Sequence, residues 1–98
     1  MPDRNGYNPS IVQKNLDECY LCGYGGDLAR HEPLDGIGRR KKSKAYGLWV
    51  CLCPECHELS HKDRKLQDIL RAECEEAALR EYCWTITQFV LEFGKNYL

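Results

Sequence analysis

From residue 64 to residue 93 the chain has neither glycine nor proline, and Leu66, Ile69, Leu70, Ala77, Leu79, Tyr82, Ile86, Phe89, Val90 and Phe93 recur at intervals close to three and four. That spacing lines one helix face and predicts one long helix or two. Gly94 follows where a helix C-cap is expected, with Lys95 placed where a cation favours the helix dipole. A different pattern precedes this half. Ala45 to Leu52 holds Tyr46, Leu48, Trp49, Val50, Cys51 and Leu52, an apolar and aromatic run of strand length. Trp49 is expected in the core and Tyr46 at the closing end of a hairpin. The run leads into Cys53, and Pro54 suits a first helical turn, so a helix is expected from about Pro54 through His61 with Cys53 near its N-cap. Leu28 to Glu32 is the expected partner strand, ended by Pro33. Residues 1 to 18 carry Pro2, Gly6 and Pro9 with few apolar side chains, which reads as an arm or a loosely packed lead-in.

The expected architecture is therefore small α+β: an N-terminal arm over 1–18, a site-bearing hairpin and helix over 19–63, and a C-terminal helix or helices over 64–98 packing on it. At 98 residues this is one domain with a modest core, the size at which a metal staple matters. Seven cysteines is an odd number, the first eight residues are polar, and no run approaches the length of a membrane span. These features argue against secretion and membrane insertion and for a reducing, cytoplasmic setting, where closely paired cysteines are read as metal ligands.

Two such pairs are present, Cys19-Tyr-Leu-Cys22 and Cys53-Pro-Glu-Cys56. Two intervening residues let a tight turn present both sulfurs to one ion, and two pairs complete a tetrahedral structural zinc site. With the second pair at a helix start, the arrangement expected is a treble-clef zinc finger. Cys51 competes, because strand alternation puts it on the same face as Cys53. Cys74 and Cys83 fall in the helical half, where a free cysteine usually packs in the core.

His57 and His61 are four apart on the expected helix and share a face, while Cys56, turned about 100 degrees from His57, can look elsewhere. A hairpin packed on that helix would bring His31 towards them. The net charge of -1 says little by itself, but Arg39, Arg40, Lys41, Lys42 and Lys44 fall together between the expected strands. The acidic side chains Glu73, Glu75, Glu76 and Glu81 gather in the helical half, suiting it to pack on the finger or to pair with a second copy rather than to meet DNA.

In order, the chain carries Cys-x-x-Cys, Leu-x-x-His-Glu, Gly-x-x-Arg-Arg, Ser, Tyr-Gly-Leu-x-Val, Leu-Cys-x-x-Cys-His and a further His. This order resembles the HNH endonuclease superfamily, and more narrowly the small HNH-like nuclease domains of phage and prophage sequences, many of which end like Phe93 to Leu98 here. The resemblance implies a ββα-metal finger holding a second, catalytic divalent ion, of magnesium, manganese, nickel or zinc type. It implies His57 and His61 as metal or phosphate ligands, His31 as a ligand, and Glu32 where the family places its general base. Alternatively His31 is the base, and His57 and His61 hold the ion with a shifted partner. Glu32 departs from the family's usual histidine, and Gly47 and Leu48 stand where many members have an asparagine, as the narrower group also does.

The activity implied is metal-dependent DNA hydrolysis, as an endonuclease or nickase, with the basic run contacting phosphates. The reading from another class is a non-catalytic zinc-finger module that binds nucleic acid or protein through a decayed motif.

Overall fold

Two short strands carry the centre of the molecule, β1 (Ala29–His31) and β2 (Val50–Leu52), paired antiparallel with Ala29 opposite Leu52, Arg30 opposite Cys51 and His31 opposite Val50. This is a computed structural model, and it describes residues 3, 5–36 and 38–98. Met1, Pro2, Arg4 and Ile37 lie outside the described residues, so the expected role of Pro2 in the lead-in does too. Four helices complete a small α+β fold: α1 (Arg39–Tyr46), α2 (Pro54–Lys62), α3 (Arg64–Tyr82) and α4 (Ile86–Phe93).

The segment between the strands differs from the sequence expectation. Arg39 to Tyr46 forms a helix rather than a basic loop and the start of a strand. Arginine, lysine and alanine are good helix formers, and no β-branched residue interrupts them. Gly47 ends the helix in the left-handed conformation (φ 71°), its N–H turned back to the carbonyls of Ser43 and Lys44. Tyr46 therefore closes no hairpin. It packs instead against Trp84, Tyr82 and Phe93, with ring centroids 4.9, 5.6 and 6.3 Å away.

Gly47 is buried, and a methyl group there would run into the Pro9 carbonyl oxygen. Gly47→Ala thus meets both left-handed backbone strain and a backbone clash. It is expected to cost at least about 2 kcal/mol in denaturant unfolding of the metal-loaded protein.

Cys53 caps α2 as expected: its backbone is extended, Pro54 occupies the first turn, and its Sγ accepts from the Cys56 N–H at 3.4 Å. One residue, Asp63, ends α2 and caps α3 through a hydrogen bond from the Leu66 N–H. The helical half is two helices. Cys83 takes a left-handed conformation (φ 55°), and Thr85 with Gln88 forms a reciprocal capping box that starts α4. Cys74 is buried as expected, but Cys83 sits exposed at this break rather than in the core.

Two apolar groups hold the layers together. Leu34, Leu48, Cys74, Ala78, Phe89 and Phe93 join the segments flanking α1 to α3 and α4, while Cys19, Val50, Leu52, Cys53 and Leu70 join β2 and the first cysteine pair to α3. Val12 packs against both. The described part of the lead-in contains no helix or strand, yet it is strapped along α1 and β2. Trp49, itself buried, donates through Nε1 to the Asn8 carbonyl at 2.8 Å, Ile11 N–H donates to Gly47 at 2.9 Å, and Cys51 N–H donates to the Gln13 side chain at 2.7 Å.

Glu75 is the one acidic residue of α3 inside the core. Its Oε1 accepts from the Tyr97 N–H at 2.6 Å, and Oε2 has no hydrogen-bond partner among the described residues. Burial raises its pKa, and the Tyr97 N–H only partly opposes this. A carboxyl raised in the folded state contributes fully below its ordinary value of 4.5 and loses that contribution as pH rises through the folded pKa. Glu75→Gln is expected to remove that loss. Melting both proteins at each pH, so that any pH dependence of metal binding cancels, should show the variant gaining on wild type from acidic to neutral pH.

Candidate metal centres

The two cysteine pairs meet. The loop of Cys19 to Cys22 turns on the Gly23 N–H to Cys19 carbonyl hydrogen bond of 2.9 Å, and the other pair is presented by the end of β2 and the first turn of α2. The four sulfurs of Cys19, Cys22, Cys53 and Cys56 all lie within 4.8 Å of one another. Cys22 and Cys53 sulfurs are 3.7 Å apart. A tetrahedron with zinc–sulfur bonds of about 2.3 Å has sulfurs about 3.8 Å apart, so the group fits a metal ion such as zinc. Cys51, though buried on β2, is not in this group.

One of the four thiols, Cys19, is electrically prepared. Burial opposes ionisation of Cys19, but N–H groups of Cys53, Cys22 and Leu21 outweigh it and bring the pKa down to about 6. Cys56 is pushed up by burial and by hydrogen bonds shared with the other three thiols. Four thiolates this close repel one another, and a divalent cation is the charge that relieves them.

A second group lies on the other side of α2. His31 at the end of β1 and His57 and His61 on α2 bring one nitrogen each within 4.8 Å of the others. Their ring centroids are 5.1 Å (His31 to His57), 5.4 Å (His31 to His61) and 4.9 Å (His57 to His61) apart. Neighbours on one helix thus serve different groups, Cys56 the sulfurs and His57 the imidazoles. Exposure is graded, with His31 buried, His57 half-buried and His61 exposed, so the cluster opens to solvent on one side.

Burial lowers the pKa of His31, helped by His57 and His61 and opposed by the Gln67 hydrogen bond and Glu32. Burial and His61 lower that of His57. Both rings are therefore neutral at physiological pH, the form in which imidazole binds a metal.

The cluster floors a cavity of about 260 Å³ shared with Arg30, Glu32, Asp35 and Arg40. Only 4% of the Glu32 side chain is exposed; its Oε1 accepts from the Tyr7 hydroxyl at 2.9 Å and lies 3.6 Å from the Arg40 guanidinium. Burial and Glu32 together raise the Tyr7 phenol to about 12, so it remains the donor. From His61 and Asp35 a larger cavity of about 430 Å³ continues over the junction of α2 and α3, where Lys62, Arg64 and Arg71 line it.

A helix distributes the basic run over several surroundings. Arg40 faces the histidine cavity, and Lys44 lies 4.8 Å from the Tyr7 ring centroid. Arg39 lies against Gly94, and Lys42 pairs with the Glu92 carboxylate at 3.4 Å. Lys41 is exposed.

The residues not anticipated from the sequence are Tyr7, Gln67 and the second basic wall of Lys62, Arg64 and Arg71. Gln67 did leave a signal. It is a polar residue on the stripe of Leu70 and Cys74, and a polar side chain at a core position needs a partner. No helix among the described residues is long and apolar enough to cross a membrane. No family model, curated protein or solved structure matches the chain.

Proposed function

We propose that this chain is a metal-dependent DNA endonuclease or nickase of the HNH type, built on a treble-clef finger whose four cysteines hold structural zinc. The observation that carries the reading is the convergence of His31, His57 and His61 from β1 and α2 at a place separate from the four sulfurs. Three imidazoles on one rim, with the rest open to a polar cavity, is the donor set of a catalytic rather than a structural site.

A divalent ion bound there would supply Lewis-acid polarisation and positive charge to phosphodiester hydrolysis. The chain's own residues do the rest. His31, His57 and His61 hold the ion. Glu32 lines the same cavity, oriented by Tyr7 and Arg40, and takes the proton of the attacking water; in the alternative His31 is the base and His57 and His61 are left to hold the ion. Arg40 contacts a backbone phosphate, and the wall of Lys62, Arg64 and Arg71 extends that contact along the strand.

One observation favours the non-catalytic reading. Glu32 is buried and tied to Tyr7 and Arg40, as a structural carboxylate would be. Incubating supercoiled plasmid with the zinc-loaded protein and added magnesium, manganese, nickel or zinc separates the two: cleavage supports the nuclease, and DNA binding without cleavage supports the module.

The helical placement of the basic run also makes a graded prediction. Arg40→Ala is expected to weaken binding to unrelated DNA sequences alike and to lower the salt slope by about one, the share of a single phosphate contact. Lys42→Ala, whose ammonium is already paired with Glu92, should leave the slope unchanged. Equal effects of the two substitutions in a salt titration would count against the cavity as the DNA path.

A further inference from the structure

Gln67, on the first turns of α3, is 6% exposed and touches both the histidine group and the end of β1. Its Nε2 donates to the Pro33 carbonyl at 3.0 Å, and its Oε1 lies 2.8 Å from Nε2 of His31. A carbonyl oxygen has no proton to give. The amide end facing Pro33 must therefore be the NH2 group, which leaves the oxygen facing the ring. An oxygen acceptor at hydrogen-bond distance requires His31 Nε2 to carry a proton. The Pro33 carbonyl is held in turn by Arg71, whose Nε donates to it at 3.0 Å. The chain of contacts thus runs from Arg71 through the Pro33 carbonyl and Gln67 into the ring of His31.

We propose that Gln67 is a positioning residue that fixes the tautomer and orientation of His31, with the proton on Nε2 and the lone pair on Nδ1. Nδ1 has no hydrogen-bond partner among the described residues. Any ion or proton that His31 takes is then taken at Nδ1. The functional consequence rests on the reading of His31, His57 and His61 as the ligands of a divalent ion, whereas the tautomer itself does not. A neutral imidazole that has to flip or exchange its proton before binding loses affinity. One locked by an acceptor is ready, and such outer contacts are worth about 10- to 100-fold in metal affinity.

The test uses the zinc-loaded, 15N-labelled chain above pH 7, where long-range proton–nitrogen correlation spectra identify the tautomer of His31. The expected result is a protonated Nε2 whose hydrogen exchanges slowly with water, and an unprotonated Nδ1. Gln67→Met keeps the side chain's length but removes the acceptor, and it should lose the slow exchange. In a cobalt titration read by absorbance, its affinity at the histidine site should be at least about tenfold weaker than wild type's.

A wild-type His31 carrying its proton on Nδ1 would overturn the proposal. So would a folded Gln67→Met protein with unchanged exchange and cobalt affinity. If the tautomer is as stated and no divalent ion binds the histidines of wild type, the nuclease reading falls while the role of Gln67 in setting the ring stands.

Discussion

Removing the ion from Cys19, Cys22, Cys53 and Cys56 is expected to unfold the finger, because this site and the core are one piece. Cys19 and Cys53 are themselves core residues, packed with Val50, Leu52 and Leu70. The strands they anchor are three residues each, too short to stand alone. Structural zinc supplies roughly 10–16 kcal/mol in finger peptides, whereas a whole domain is stable by about 5–15 kcal/mol. Loss of the metal therefore exceeds what the remaining packing can offset. The purified protein should carry about one zinc per chain, and chelation should abolish its near-ultraviolet dichroism. The Cys19→Ala, Cys53→Ala double variant should hold no zinc, and if it nevertheless stays folded, the site is not structural. Cys51→Ser and Cys83→Ser should leave zinc content unchanged. Cys74→Ser should also keep the zinc, while losing stability because a hydroxyl replaces a fully buried thiol.

The second large effect concerns catalysis. Glu32→Gln preserves the size of the side chain but not its ability to take a proton. On the proposed nuclease reading the variant is expected to bind the ion and to lose cleavage by about a hundredfold or more. The Tyr7 hydroxyl can still donate to the amide oxygen, so the cavity wall survives the change. Stability and activity would then separate, which a purely structural Glu32 does not allow. A fully active Glu32→Gln, together with a His31→Ala protein that binds metal but does not cleave, would move the base to His31.

Much of this arrangement was legible along the chain, and the parts that were not share a cause. The four sulfurs could be read because two residues between cysteines is a local signal, and β2 running into Cys53 and Pro54 placed the second pair at a helix start. His57 and His61 could be read for the same reason. Helix α1 was hidden because most of its side chains are charged and only Ser43 is buried, so no apolar stripe announces it. The aromatic run after it drew Ala45 and Tyr46 into an expected strand, although Gly47 marked the boundary. The break before α4 contains no glycine or proline; its signal was the Thr85 and Gln88 pair, which identifies a helix start only when a start is sought there. Tyr7 and Gln67 reach Glu32 and His31 across 25 and 36 residues of sequence, beyond anything local periodicity reports.

The most direct test of the proposed activity compares wild type with His57→Ala on supercoiled plasmid across magnesium, manganese, nickel and zinc, with the zinc content of each protein measured in parallel. His57 is half-buried and its side chain is outside the sulfur group, so its removal should spare the fold. The expected result is nicked or linear plasmid from wild type with at least one added metal, none from His57→Ala, and about one zinc per chain in both. Intact plasmid under every metal, with titration finding no second ion on wild type, would contradict the nuclease account.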